Sequence, residues 1–214
     1  MPTNDTQLNN TTTVYVANFD ANITVDDVVP AIRNEFIQRC ADLKTRQQRY
    51  CVWRLLDYAL RKNSGKGVDG FHFTVSDNGK WSCNDGVNFS LTHCNNVVAV
   101  ALSNNDVGID IEAVANFARH VSDNLYKRVL TDSEQSMLRN APVERHAQIL
   151  AQIWTQKESI FKLQGDSAFI PKLIDSTKFV SNSRLLMLDD EQYALSVATA
   201  IPSEINLEQV ISLR

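Results

Sequence analysis

Several things are missing from this chain, and each absence removes a class of protein. No run of apolar residues approaches the length needed to cross a bilayer. The opening stretch, Met1 to Thr13, has neither the basic start nor the apolar centre of a secretory signal. A soluble, cytoplasmic protein with no membrane partner is therefore expected. Cysteine is scarce: Cys40, Cys51, Cys83 and Cys94 are all there is, and no two form a C-x-x-C pair. That spacing argues against a disulfide scaffold and against a structural zinc site. Cys94 does follow His93, but neighbours on a strand point to opposite faces, which disfavours a Cys–His nucleophile pair. An excess of positive charge is also lacking. The net charge is −4, so there is no general attraction to nucleic acid.

What is present suffices for a folded protein. The 214 residues are 43% apolar and 21% charged, enough for one ordinary domain or two small packed lobes. The informative stretch is Ile153-Trp154-Thr155-Gln156-Lys157-Glu158-Ser159-Ile160-Phe161-Lys162. It reads as a helix. Trp154, Glu158 and Lys162 stand four apart and share a face. Ile153, Ile160 and Phe161 form the stripe that seats it on a core, and Gly165 suits its end. Taken alone, this is equally well a surface Glu–Lys pair. A second stretch, Val107-Gly108-Ile109-Asp110-Ile111-Glu112, alternates with period two. Val107, Ile109 and Ile111 face one side of a strand; Gly108, Asp110 and Glu112 face the other. Two carboxylates on one face repel unless water or a cation lies between them. All-oxygen ligands point to magnesium rather than zinc. Glu158 would supply a third carboxylate from the helix. Lys157 and Lys162 would bring positive charge beside it, which is equipment for stabilising a phosphate.

These two stretches, Gly108-Ile109-Asp110-Ile111-Glu112 and then Trp154-Thr155-Gln156-Lys157-Glu158-Ser159 with Lys162, resemble the signature motifs of the 4'-phosphopantetheinyl transferases. The length resembles the surfactin-synthetase-activating type. A third segment, Phe89-Ser90-Leu91-Thr92-His93, is similar to a family motif ending in serine and histidine, with Cys94-Asn95 in place of the usual Ser-Gly. The resemblance implies an α+β fold of two similar lobes, each with helices on an antiparallel sheet, related by a pseudo-two-fold axis. The lobes would be residues 1–105, anchoring the cofactor, and 106–214, carrying metal and catalysis. Two fused lobes would remove the need for a dimer, so a monomer is expected. It also implies the reaction: the phosphopantetheine arm of coenzyme A moves to a serine of an acyl or peptidyl carrier protein. Asp110, Glu112 and Glu158 would hold magnesium, with Glu112 acting directly or through water. Glu158 would take the serine proton. Lys162 and Lys157 would balance charge on the leaving phosphate. Arg49, or its rival Arg46, would meet the 3'-phosphate, and Lys80, Thr92 and His93 would anchor the rest of the nucleotide. Glu134 is a weaker family acid. A member that binds coenzyme A or a carrier protein without transfer is the alternative, allowed by Trp81 where relatives have proline and by Cys94, and opposed by the retention of all three acids. An unrelated magnesium phosphohydrolase is a second rival.

The rest of the chain reads as elements around these motifs. Residues 1–13 are expected to be loose, with a strand at Val14 to Phe19. Asp26, Asp27 and Pro30 open a helix whose buried side includes Val29, Ile32, Phe36 and Ile37. Asp42 caps a second helix to about Lys62, with Tyr50, Trp53, Leu56 and Leu60 inside. Between Arg33 and Lys66 nine bases meet three acids, which is either a solvated face or an anion site. Phe71 to Val75, a turn at Asp77-Asn78-Gly79, and Lys80-Trp81 make a hairpin. His72 there reads as a solvated histidine. Val87, Phe89 and Leu91 are expected to pack inward. Val97 to Leu102 is a buried strand, and its turn into the Asp110 strand would place His93 and Asp110 at one end of one sheet. Thr131-Asp132-Ser133-Glu134 carries the capping-box pattern. In the tail, Lys178 to Val180, Arg184 to Leu188, and Tyr193 to Ala200 after a turn at Asp189-Asp190 read as a meander, with one more strand over Leu207 to Leu213.

Overall fold

The computed structural model describes residues 10–19, 29, 31–77, 79–118, 126 and 128–213. The expected helix start at Asp26, Asp27 and Pro30, and Asn78 of the hairpin turn, lie outside them. The first described element is strand β1 (Thr11–Phe19), so Thr11 to Thr13 are paired rather than loose; residues 1–9 of the expected loose end lie outside the described residues. Helix α1 (Ala31–Gln38) leads to α2 (Leu43–Ser64). Asp42 caps α2 as expected, its carboxylate accepting from the Thr45 N–H at 2.7 Å. Tyr50, Trp53, Leu56 and Leu60 are all buried along its inner side. A small hairpin follows, β2 (Phe73–Val75) and β3 (Trp81–Cys83), then β4 (Asn88–Cys94) and β5 (Val97–Ser103). Next come β6 (Val107–Ala113), α3 (Val114–Ala118), α4 (Asp132–Arg139) and the long α5 (His146–Gln164). Strands β7 (Ser181–Leu188), β8 (Glu191–Thr199) and β9 (Glu204–Leu213) complete the chain. Lys178 ends a 3-10 turn, Ser176–Lys178, so the expected strand there begins later, at Ser181. Among the described residues no helix is long and apolar enough to cross a membrane.

The two halves repeat one topology. In the first, strand, long helix and hairpin run β1, α2, β4, β5, and the sheet order is β4-β5-β1. In the second they run β6, α5, β7, β8, and the order is β7-β8-β6. Both hairpins and both central pairings are antiparallel. This is the α+β architecture of two similar lobes. Strand β9 departs from it. It pairs in parallel with β1, so the last strand of the 106–214 lobe completes the first lobe's sheet. The sequence boundary at 105/106 therefore does not separate two independent sheets.

Alternation along the strands explains the layering. On β1, Tyr15 and Ala17 join the core under α2, while Val14 and Val16 face the second sheet. On β5, Val98 and Val100 go to α2, and Ala99 and Ala101 to the second sheet. Ile109, Ile111, Leu195 and Val197 meet them from the other side. Ile109 and Ile111 are fully buried, each contributing about 1.5–3 kcal/mol. Under α2, Trp53 lies edge-on to Phe73 and Trp81, with ring centroids 5.0 and 5.2 Å away, which fixes the small hairpin on the helix.

Strands β5 and β6 do not pair. The segment between them carries the chain into the second sheet, so His93 and Asp110 do not share a sheet as the sequence suggested. They are neighbours for another reason. The open edge of β6 points backbone N–H groups at β4, and β4 answers with side chains. Ser90 Oγ accepts from Ile109 at 3.1 Å, Thr92 Oγ1 from Ile111 at 3.3 Å, and Cys94 Sγ from Ala113 at 3.4 Å. A period-two ladder thus closes the edge without a strand.

Candidate active site

The site lies where α5 crosses β6. Gly108 permits that crossing. A Cβ built there would stand 2.6 Å from the Leu163 nitrogen and 2.9 Å from the Ser159 carbonyl carbon, so helix backbone fills the space a side chain would need. The close approach aligns the Glu158–Lys162 face of α5 with the polar face of β6. Lys162 Nζ donates to Asp110 Oδ1 at 2.7 Å and to the Ile109 carbonyl at 3.0 Å. Thr92 Oγ1 donates to the same Asp110 oxygen at 2.9 Å. Asp110 is only 5% exposed, and its other oxygen, Oδ2, is buried with no hydrogen-bond partner.

Glu158 and Glu112 belong to the same electrostatic unit. Burial, then the charge of Asp110, pushes Glu158 up to about 7, with Glu112 adding to the effect and Lys162 opposing it. Burial and Asp110 likewise raise Glu112. Three carboxylates are thus brought together with less positive charge than they need. Among the described residues no group of three His, Cys, Asp or Glu side chains is arranged so as to hold a metal ion. The residues nevertheless fit a hard divalent cation. The donors are all oxygen, one buried oxygen is orphaned, and the mutual repulsion is of the kind a cation relieves.

A basic wall faces the acids. Burial, then Lys162, Arg49 and Arg33, lowers His93 to about 4, so three cations reach it and its ring is neutral at pH 7. Burial and Arg49 lower Arg33 to about 10. The Arg33 guanidinium lies 5.3 Å from the Trp81 ring centroid and 5.8 Å from that of Trp53, and its buried Nε has no hydrogen-bond partner. Arg46 is occupied elsewhere. It donates to the Cys40 and Gln38 carbonyls and fastens the end of α1. Arg49, not Arg46, therefore belongs to the wall. Lys80 reaches from the small hairpin to the Leu163 carbonyl at 3.2 Å, near the C-terminus of α5. A cavity of about 240 Å³ opens there, lined by Lys80, Trp81, Ser90 and Lys162 among others. Beyond Glu112 is an apolar cavity of about 270 Å³, lined by Phe117, Leu130, Leu150 and Trp154. Trp154, Glu158 and Lys162, one turn apart, thus run from an apolar space past the acids to one of mixed lining that holds Lys80 and Lys162.

Two sequence expectations change here. Lys157 is not in the site. It is 0% exposed on the far side of α5, its ammonium 2.7 Å from Glu134 and bonded to the Pro171 and Ile174 carbonyls. Glu134 makes the expected capping box with Thr131 and also accepts from Ser176. Burial alone would raise its carboxyl; the hydrogen bonds from Lys157, Ser176 and Thr131 outweigh that and hold it low. The pair is structural, a cross-brace between α4, the 171–176 segment and α5. Thr92 also differs. Its hydroxyl is committed to Asp110 and to the β6 backbone rather than aimed at a nucleotide. Sequence reasoning passed over Arg33, visible only as one of nine bases, and gave no role to Trp81, which the stacking supplies.

Residues 106–198 match the family model described as the 4'-phosphopantetheinyl transferase superfamily. The chain is 31% identical over 120 residues to the 4'-phosphopantetheinyl transferase AcpT of Salmonella typhi, covering 56% of this chain and 60% of that one. It is 26% identical over 99 residues to the 4'-phosphopantetheinyl transferase gsp of Aneurinibacillus migulanus, covering 46% and 40%. The alignments thus span about half the length of these relatives. A solved holo-(acyl-carrier-protein) synthase from Bacillus anthracis, in complex with CoA (3',5'-ADP), superposes with a TM-score of 0.32 at 21% identity, over 44% of this chain and 94% of that one. The matched segment contains Asp110, Glu112, Glu158 and Lys162, so the part of this chain that is similar to the 4'-phosphopantetheinyl transferase superfamily is the part that carries the acids of the site.

Proposed function

We propose that this protein transfers the 4'-phosphopantetheine arm of coenzyme A to a serine of an apo-carrier protein, in the manner of the surfactin-synthetase-activating type and as a cytoplasmic monomer. The observation that carries the reading is the opposition of three acids, Asp110, Glu112 and Glu158, to the bases Arg33, Arg49 and Lys162 around a neutral His93. A diphosphate with a 3'-phosphate fits such a cleft: the bases take the nucleotide phosphates, and the acids face the reacting group through a cation. Magnesium held by Asp110, Glu112 and Glu158 would neutralise charge on the diphosphate.

The chain's own residues do the rest. Arg33, Arg49 and neutral His93 hold the nucleotide end, and Lys80 lines its approach. The serine oxygen attacks the phosphorus that bears the pantetheine arm. The bond from that phosphorus to the bridging oxygen breaks, and adenosine 3',5'-bisphosphate leaves. Glu158 takes the serine proton directly or through water. Lys162 moves its charge from Asp110 toward the leaving phosphate. The apolar cavity beyond Glu112 is offered to the aliphatic arm.

The test is to incubate the protein with coenzyme A, magnesium and a panel of apo-carrier proteins, and to weigh the carriers by mass spectrometry. Gain of one phosphopantetheine arm on a carrier supports the reading. Binding of coenzyme A or carrier with no gain of mass identifies the non-transferring alternative. Release of phosphate from small esters with no effect on carriers identifies a phosphohydrolase.

A further inference from the structure

We propose that Cys94 is a positioning residue of the cation site, holding the Glu112 carboxylate through its thiol. The inference rests on the reading of Asp110, Glu112 and Glu158 as cation ligands and deepens it.

The argument comes from the ladder between β4 and β6. Each rung is a β4 side chain that accepts one backbone N–H of β6. A group pinned in this way has its own proton left to give. Thr92, held by the Ile111 N–H, gives it to Asp110 Oδ1 at 2.9 Å. Cys94, held by the Ala113 N–H, gives it to Glu112 Oε2 at 3.1 Å. In both rungs the carboxylate belongs to the residue just before the N–H donor. The same local geometry therefore orients both acids of the strand, two residues apart.

The second rung matters because Glu112 is otherwise loosely determined. Asp110 is short and also gripped by Lys162. Glu112 has one more rotatable bond, and no ion pair holds it among the described residues; besides Cys94 it is approached by Asn116 Nδ2, at 3.5 Å. The thiol supplies the missing constraint. A thiol's ordinary pKa is about 8.5, so it is mostly protonated, and a donor, at neutral pH. A thiol is a weak donor, which orients the carboxylate while leaving its lone pairs available to a cation.

The test is Mn²⁺ binding to the full chain, without coenzyme A or carrier, read from the electron paramagnetic resonance signal of free Mn²⁺. Cys94→Ala is expected to weaken binding by roughly five- to tenfold, the worth of one hydrogen bond. Cys94→Ser, which keeps a donor and an acceptor, is expected to restore it. Cys94→Val fills the space without the thiol and should behave like Cys94→Ala, which guards against a cavity effect. In a Glu112→Gln background, Cys94→Ala should cost nothing further. Binding at wild-type strength in Cys94→Ala and Cys94→Val overturns the proposal and leaves the cation site standing. So does equal weakening with and without the Glu112 carboxylate. Wild-type protein that takes up no Mn²⁺ overturns the cation reading, and the proposal with it.

Discussion

Replacing Gly108 with alanine adds one methyl group, and the structure says where it goes. The new Cβ would lie 2.6 Å from the Leu163 nitrogen and 2.9 Å from the Ser159 carbonyl carbon, whereas ordinary contact begins near 3.4 Å. The obstructing atoms are helix backbone, so no side chain can swing away. Helix α5 must lift from β6 by about an ångström or the strand must bend, and overpacking of this kind costs about 1–3 kcal/mol. The lift acts on Glu158 and Lys162 together. Lys162 would loosen from Asp110, now at 2.7 Å, and the third carboxylate would retreat from the other two. Misplacing reacting groups by this much costs about a hundredfold in rate. The assay is carrier loading followed by mass, alongside urea denaturation of the same preparation. The prediction is a folded protein, moderately less stable, with kcat/KM down by about two orders of magnitude. Wild-type loading by a folded Gly108→Ala protein would refute the claim that this close approach builds the site.

Other predictions follow from the same geometry. Glu158 in the folded protein titrates near 7, against an ordinary 4.5, so its contribution favours folding below about pH 4.5 and is lost as pH rises through 7. Without divalent cation, Glu158→Gln should therefore be more stable than wild type at pH 8 by about 1–2 kcal/mol, allowing for solvent at the cleft, and equal to it near pH 4. An equal difference at both pH values in urea melts would count against the raised titration. Lys157→Met leaves Glu134 buried without its cation and should cost about 3–5 kcal/mol, and the double variant Glu134→Gln/Lys157→Met should recover much of this. A single-variant loss below about 1 kcal/mol would show the brace to be idle. Arg49→Ala should raise the KM for coenzyme A and narrow its advantage over dephospho-coenzyme A. An unchanged preference would remove Arg49 from the 3'-phosphate.

The sequence was most informative where a local rule is sufficient. Asp42 and Thr131 are capping residues in the structure, Gly165 is a left-handed helix end, and Asp189 and Asp190 both have positive φ in their turn. The alternation of Val107 to Glu112 correctly separated a core face from a polar face. What required three dimensions was anything decided by a distant partner. Lys157 and Glu158 are adjacent on one helix, so no pattern in the chain says that one turns to Glu134 and the other to Asp110. Strand β9 sits beside β1 across nearly the whole chain length. The short turn from Leu102 into the Asp110 strand suggested one shared sheet, yet β5 and β6 belong to different sheets. Arg33 is one base in a crowd until the adjoining Trp53 and Trp81 rings are seen beside it.

The most direct measurement compares wild-type protein with a folded Asp110→Ala variant, each given coenzyme A, magnesium and an apo-carrier, with the intact carrier weighed over time. The account predicts that wild type adds one phosphopantetheine arm per carrier and that Asp110→Ala adds none. Loading at a comparable rate by the variant would contradict it.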